Sequence, residues 1–186
     1  MPNNALKTAR PRCSWVNLQN PLYVKYHDRE WGRPVHDDHK LFEMLLLESF
    51  QAGLSWETVL NKREAFKQAF AEFDVAKVAN FNDEDCQRLQ QNPGIIRHRL
   101  KIRAAVSNAQ VFMAIQQEWG TFSKYLWHWT DGKTIQEIGA TKSKLSDDIA
   151  KDLKKRGMKF VGTTTIYAYL QAVGVINSHE DSCWLG

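Results

Sequence analysis

No stretch of 18 apolar residues occurs in the 186-residue chain, so no transmembrane helix is expected. The first residues, Met1 to Pro11, are polar and carry no apolar core. A secretory signal is therefore not expected, and the cytoplasm is the expected compartment. Cysteine is scarce. Cys13, Cys86 and Cys183 are the whole set, too few for a disulfide framework. Charge of one sign is not extreme either, since a net charge of +4 permits a polyanionic partner without demanding one. Internal repeats, low-complexity tracts and convincing runs of alternating strand residues are all missing. What is there suffices for one core, at 43% apolar residues. Residues 1–12 read as a flexible N-terminal tail and 13–186 as a single helical domain, with monomer as the default state.

Helical periodicity dominates, and the expected fold class is all-α. Asp38 is expected to cap a helix running to about Ala52, with Leu41, Met44, Leu45 and Glu48 on its apolar face. Gly53-Leu54 breaks the chain. Ser55 then caps a second helix bearing Trp56, Val59, Leu60 and Phe70, and Asp74 and Asn82 start two short helices. Past the Pro93-Gly94 break, a long helix is expected from about Ile95 to Trp119, with Ile102, Val106, Ala109 and Met113 facing inward. Phe122 to Trp129 reads as helical. Thr130 to Leu145 reads as a connector. Ser146 is expected to cap a helix ending in Lys154-Lys155-Arg156, with Gly157 after it, and a last helix spans about Thr163 to Val173.

Four possible metal ligands lie at opposite ends of the chain: Cys13 and His27 near the start, His179 and Cys183 near the finish. His179 and Cys183 are spaced H-x3-C, which puts both on one face if the turn is helical. Two thiolates and two imidazoles suit tetrahedral zinc, and with all four positions taken by protein such a site is structural. Read alone, the same residues also fit a buried thiol and two surface histidines. Taken alone, Glu48 also reads as an acid that pairs with a buried arginine or caps a neighbouring helix, and Trp56 as a core residue.

Four blocks decide between these readings. They are Cys13-Ser14-Trp15-Val16 with Pro21-Leu22-Tyr23-Val24-Lys25-Tyr26-His27-Asp28-Arg29-Glu30-Trp31-Gly32; Leu41 through Trp56; Gly94-Ile95-Ile96-Arg97-His98-Arg99-Leu100-Lys101-Ile102; and Lys154 through Thr164. In this order they resemble the bacterial 3-methyladenine DNA glycosylase I family, within the helix-hairpin-helix DNA glycosylase superfamily. The resemblance runs from Cys13 to Cys183, leaving the connector near 130–145 outside the matching blocks.

The resemblance implies a helix-hairpin-helix fold with one structural zinc on Cys13, His27, His179 and Cys183, joining the N- and C-terminal segments. It implies a base pocket of Tyr26, Glu48 and Trp56, with Trp15, Tyr23 and Trp31 lining or supporting it. Glu48 and Tyr26 are the candidate catalytic residues. The expected activity is monofunctional excision of 3-methyladenine, with 3-methylguanine as a second substrate, from alkylated double-stranded DNA. Free 3-methyladenine is then the product, and no membrane partner is expected. The chemistry suits these residues. Methylation at N3 makes the base a cation and a good leaving group, so an extruded base needs a stacking face such as Trp56 and an acceptor such as Glu48. The acid that related glycosylases carry beyond the hairpin has no counterpart in Val175-Ile176-Asn177-Ser178-His179, which argues against neutral-base substrates and against a lyase. DNA contact is expected from the Gly53-Leu54-Ser55 turn and from Lys159, Phe160, Gly162 and Thr163 of the hairpin. The basic run Arg97-His98-Arg99-Lys101-Arg103 is either a further contact or a solvated face. The alternative function is a non-catalytic protein that binds alkylated DNA with the same pocket.

Overall fold

The computed structural model describes residues 10–186. Of the expected tail, residues 1–9 lie outside the described residues, while Arg12 makes a two-point pair with Asp28 at 2.8 and 2.7 Å. Ten α-helices follow in chain order: α1 (Pro21–Arg29), α2 (Asp38–Gln51), α3 (Trp56–Asn61), α4 (Arg63–Ala69), α5 (Val75–Ala79), α6 (Asp83–Gln91), α7 (Arg99–Trp119), α8 (Phe122–His128), α9 (Lys144–Lys155) and α10 (Thr163–Ala172). No helix among the described residues is long and apolar enough to cross a membrane. The all-α expectation holds but for two short strands, β1 (Ile135–Gln136) and β2 (Ile176–Asn177), which pair in parallel. Through them the connector is sewn to the C-terminal segment.

Several boundaries differ from the sequence reading, for local reasons. Asp37, not Asp38, caps α2, accepting from the Lys40 amide at 3.0 Å. Asp38 takes the first helical position, where its carboxylate accepts the Phe122 and Ser123 amides at 2.8 Å each and so starts α8 against α2. The helix expected from Ser55 through Phe70 is two helices, α3 and α4, separated at Lys62. The long helix α7 starts at Arg99, capped by His98, because Pro93-Gly94 and the inward-packed Ile95 hold the preceding residues in a loop. On it Ile102 and Ala109 are buried as expected, whereas Val106 and Met113 are only half-buried. Ala105, Phe112 and Ile115 complete the inward face. Ser143 caps α9, and Ser146, expected at the cap, is its partner three residues on in a reciprocal capping box.

The core is one continuous cluster. In it α2, buried from Leu41 through Phe50, lies among α7, α8, α3 and α10. Burial on all sides explains its near-unbroken apolar run, and it leaves Glu48 only 3% exposed.

Candidate base-binding pocket and metal cluster

A cavity of about 380 Å³ opens beside α2, and all six residues expected in the base pocket line it: Trp15, Tyr23, Tyr26, Trp31, Glu48 and Trp56. The elements explain the convergence. Tyr23 and Tyr26 lie on α1, Glu48 on the last turn but one of α2, and Trp56 at the first position of α3 beyond the Gly53 turn. Tyr26 and Trp56 face each other with ring centres 5.2 Å apart, while Trp15 packs edge-on to Trp31 at 4.7 Å and tilted on Tyr23 at 5.3 Å. Such a box presents aromatic faces to a planar ligand.

Glu48 is the polar exception inside this box. Among the described residues it has no ion pair, and its Oε2 is buried with no hydrogen-bond partner. The arginine pairing open to it on sequence is taken by others: Arg63 binds Glu43 at 2.6 Å and Glu30 at 2.9 Å. Burial with no compensating group pushes the Glu48 carboxyl up to about 8. Burial also raises the Tyr26 hydroxyl, helped by the neighbouring Glu48. A carboxyl left unpaired in an aromatic cavity is poised for a cationic or amine-bearing ligand, since either would supply what the fold withholds.

The cavity has walls that the sequence reading did not include. The connector contributes Ile138, Gly139, Ala140 and Thr141, and Gln51, Gln171 and Ser178 add polar groups. Gln171 donates to the Ser178 hydroxyl at 2.8 Å. The connector is fastened by Tyr167, whose hydroxyl donates to Glu137 at 3.0 Å, and by Thr134, which donates to the Gly174 carbonyl at 2.8 Å. The only sequence signal for this wall was a short apolar and small-residue stretch, Ile138-Gly139-Ala140, within a polar connector.

Behind Trp15 and Trp31 lie the four expected metal ligands. Ligand atoms of Cys13, His27 and Cys183, all buried, lie within 4.8 Å of one another. His179 is not among the atoms that meet this closely, but its ring stands edge-on 5.1 Å from that of His27, and its Nε2 is buried without a partner. Each imidazole is oriented from behind, His27 Nδ1 lying 2.8 Å from Asp28 and His179 Nδ1 2.6 Å from Asn177. Backbone amides of Glu180 and Leu185 point at the sulfurs of Cys13 and Cys183, both at 3.5 Å. The expected helical turn under H-x3-C is absent. Residues 179–183 form a non-helical turn closed by the Cys183 amide on the Glu180 carbonyl. Gly32 is obligatory here: its φ is +73°, and a Cβ would stand 2.7 Å from His179.

The elements expected to meet DNA are on the surface. Gly53, Leu54 and Ser55 are exposed at the end of α2, and Leu54 is 41% exposed. Lys159 to Gly162 connect α9 to α10 as a hairpin, with Gly162 at the N-cap of α10. The basic run is not one surface: Arg97 and Arg99 are exposed, Arg103 binds Asp83 at 3.2 Å, and Lys101 is buried.

A family model described as methyladenine glycosylase matches residues 15–185. The chain belongs to the methyladenine glycosylase family. DNA-3-methyladenine glycosylase 1 of Escherichia coli is 48% identical over 92% of this chain and 95% of its own length. The corresponding protein of Haemophilus influenzae is 43% identical over 92% of this chain and 96% of its own. A crystal structure of 3-methyladenine DNA glycosylase I superposes with a TM-score of 0.90 at 48% identity, covering 94% of this chain and 98% of that one. The Staphylococcus aureus 3-methyladenine DNA glycosylase I, in a structure titled for 3-methyladenine recognition, superposes with a TM-score of 0.87 at 40% identity, over 89% and 92% of the two chains. For a methyladenine glycosylase the aromatic cavity is the natural seat of a base. Val175-Ile176-Asn177-Ser178 carries no acid, and of the two carboxylates that line the cavity, Glu48 and Glu180, Glu48 is the buried one.

Proposed function

We propose that this protein is a monofunctional DNA glycosylase that removes 3-methyladenine, and 3-methylguanine beside it, from alkylated double-stranded DNA. The observation that carries the reading is the unpaired, buried Glu48 carboxyl inside a box of aromatic rings. Extruded from the helix, the base stacks on Trp56 and offers its exocyclic amine to Glu48, with Tyr26 adding a hydrogen bond. Its positive charge gains from both the aromatic faces and the carboxylate. An unmodified adenine carries no charge to repay the desolvation of Glu48. The cavity therefore favours the lesion, by a contrast that needs no contact with the methyl group.

Hydrolysis then asks little of the protein. Water oxygen bonds to the sugar C1′ as the C1′–N9 bond breaks, the bonding electrons leave with the base, and the water proton passes to solvent. The base departs neutral because methylation had already placed a positive charge on it. Glu48 and Tyr26 are the residues in contact with the leaving base. Leu54, from the Gly53-Leu54-Ser55 turn, fills the gap in the duplex, while Lys159, Phe160, Gly162 and Thr163 hold a phosphate at the start of α10.

Residues 13–186 act as one domain and one monomer in this reading, with a single structural zinc on Cys13, His27, His179 and Cys183. The donor chemistry fits. Burial pushes the Cys13 thiol up to about 12 and the His179 imidazole down to about 4, so a bare charge is disfavoured at either group. A cation there reverses the preference at sulfur and uses the neutral imidazole. The unpartnered His179 Nε2 supplies the free lone pair. Bound zinc supplies a cross-link between the two ends of the chain. The residues themselves orient Tyr26, which precedes His27 on α1.

Incubation with N-methylated duplex DNA, followed by identification of the released bases, tests the proposal. Free 3-methyladenine should appear without strand cleavage. Tight binding with no release would favour the non-catalytic alternative.

A further inference from the structure

Two buried polar side chains on α7 take no part in the base cavity. Lys101 is 5% exposed, and among the described residues its ammonium forms no ion pair. Instead Nζ donates to the carbonyls of Phe50 at 2.9 Å and Ala52 at 2.7 Å, the end of α2 and the entrance to the Gly53-Leu54-Ser55 turn. A helix C-terminus presents unsatisfied carbonyls and partial negative charge, and this compensates the buried cation. Seven residues later Asn108, 4% exposed, binds both backbone groups of Lys159: its amide donates to the Lys159 carbonyl and its carbonyl accepts the Lys159 amide, each at 2.9 Å. The clamp fixes the hairpin next to Phe160, whose φ of +57° is a left-handed conformation unfavourable for an aromatic residue. Seven residues are close to two helical turns, so both side chains leave one face of α7, about 10 Å apart along its axis.

We propose that α7 is a ruler. Lys101 and Asn108 are positioning residues that hold the 53–55 turn and the 159–163 hairpin at a fixed separation, so that both engage one duplex while the extruded base lies between them. The proposal rests on the reading that these two elements contact DNA. Neither side chain touches base or phosphate. The choice of lysine is informative, because an apolar side chain would fill the same core space without a buried charge. What it would not do is bridge the two carbonyls that lead into the turn.

The test uses the full chain and the variants Lys101→Met, Lys101→Arg and Asn108→Ala. Readouts are kcat and KM on duplex DNA containing 3-methyladenine, the Kd for free 3-methyladenine, and backbone amide exchange. Lys101→Met should lower kcat/KM on duplex by about 10- to 100-fold, the scale of an ångström-sized misplacement. Its free-base Kd should stay within about twofold of wild type. Exchange should quicken at residues 53–55, and Lys101→Arg should recover most of the loss. Asn108→Ala should raise KM on duplex and quicken exchange at 158–161, again without altering free-base affinity. If Lys101→Met does not fold, Asn108→Ala decides the question through the same split. Duplex excision unchanged in a folded variant whose turn or hairpin exchanges faster would overturn the proposal. So would a free-base affinity that falls by the same factor as excision, since Lys101 or Asn108 would then support the base cavity. Failure of the wild-type protein to release any base would instead refute the glycosylase reading on which the proposal stands.

Discussion

Replacing Glu48 by Gln should move two measurable quantities in opposite directions. Burial holds the Glu48 carboxyl at about 8 in the fold, against an ordinary value of 4.5. Between those limits the folded protein keeps a proton that the unfolded chain gives up. Wild-type stability therefore falls as pH rises from about 4.5 to about 8, and is level above that. That difference corresponds to on the order of 5 kcal/mol as a ceiling. Glutamine fills nearly the same space and never ionises, so the variant loses this slope. Urea unfolding at pH 5 and at pH 9 reads it directly: the two proteins should be similar at pH 5, and the variant more stable at pH 9. Relaxation around the cavity reduces the realised gain, and about 1 kcal/mol suffices to decide the sign. Affinity for free 3-methyladenine, measured by calorimetry, should fall by about 1–3 kcal/mol as a charge-assisted hydrogen bond becomes a neutral one. Two results would refute the reasoning. A variant that binds the base as well as wild type would show that Glu48 does not read it. A variant that loses stability at both pH values while binding normally would make Glu48 a structural acid.

Removing the stacking face by Trp56→Ala should weaken free 3-methyladenine by about 1–3 kcal/mol and leave binding to undamaged DNA nearly unchanged, which a paired titration of base and duplex checks. Metal analysis of protein purified without added zinc should find about one zinc per chain. Cys183→Ala should lose the metal and unfold at lower denaturant before its chemistry changes, whereas metal-free wild type with full activity would sink the assignment. Lys159→Glu should weaken binding to all duplex sequences alike and flatten the salt dependence, because phosphate contacts carry no sequence information. An unchanged slope would place Lys159 off the backbone.

The residues that gather at the cavity were legible because each lies within a contiguous block with a strong local signal. Tyr26 precedes His27, Glu48 follows an apolar helix run, and Trp56 follows a glycine turn. The cavity's remaining walls were not legible, since Ile138 to Thr141 are held there by long-range contacts: the parallel pairing of β1 with β2, residues some forty positions apart, and the side-chain bonds of Thr134 and Tyr167. Pairing between two-residue strands leaves no periodicity to read. Helix starts failed where two capping residues compete. At Asp37-Asp38 and at Ser143 with Ser146, the local pattern allows either residue, and the choice is made by what the second one binds in the tertiary structure. Lys101 was grouped with its arginine neighbours because composition cannot distinguish a solvated ammonium from one that caps a buried helix end. The separation depends on helix phase: Lys101 points to the core with Ile102 and Ala105, while Arg99 and Arg103 point away.

The fold's unsatisfied atoms sharpen the distinction between a core and a site. Among the described residues six buried side-chain atoms find no partner: Glu48 Oε2, His179 Nε2, and the indole nitrogens of Trp56, Trp119, Trp129 and Trp184. Each such atom costs about 1–3 kcal/mol, so an orphan is a departure from the rule that buried polar groups are paired. Orphan status alone does not mark a function. Trp119 and Trp129 sit around Tyr125 and His128, among residues that do not line the base cavity. What separates Glu48 and Trp56 is that both face one cavity, from helices joined by a single turn, and that a flat cationic base offers a partner to the carboxylate and a face to the indole together. His179 differs again, because its ring stands edge-on to that of His27, whose ligand atom gathers with the sulfurs of Cys13 and Cys183. A ligand that partners the Glu48 carboxyl recovers that cost in the binding event, while stacking adds the Trp56 face to the gain. Stability withheld from the empty fold thereby becomes affinity for the lesion, which is why removing the Glu48 charge should strengthen the protein and blunt its recognition.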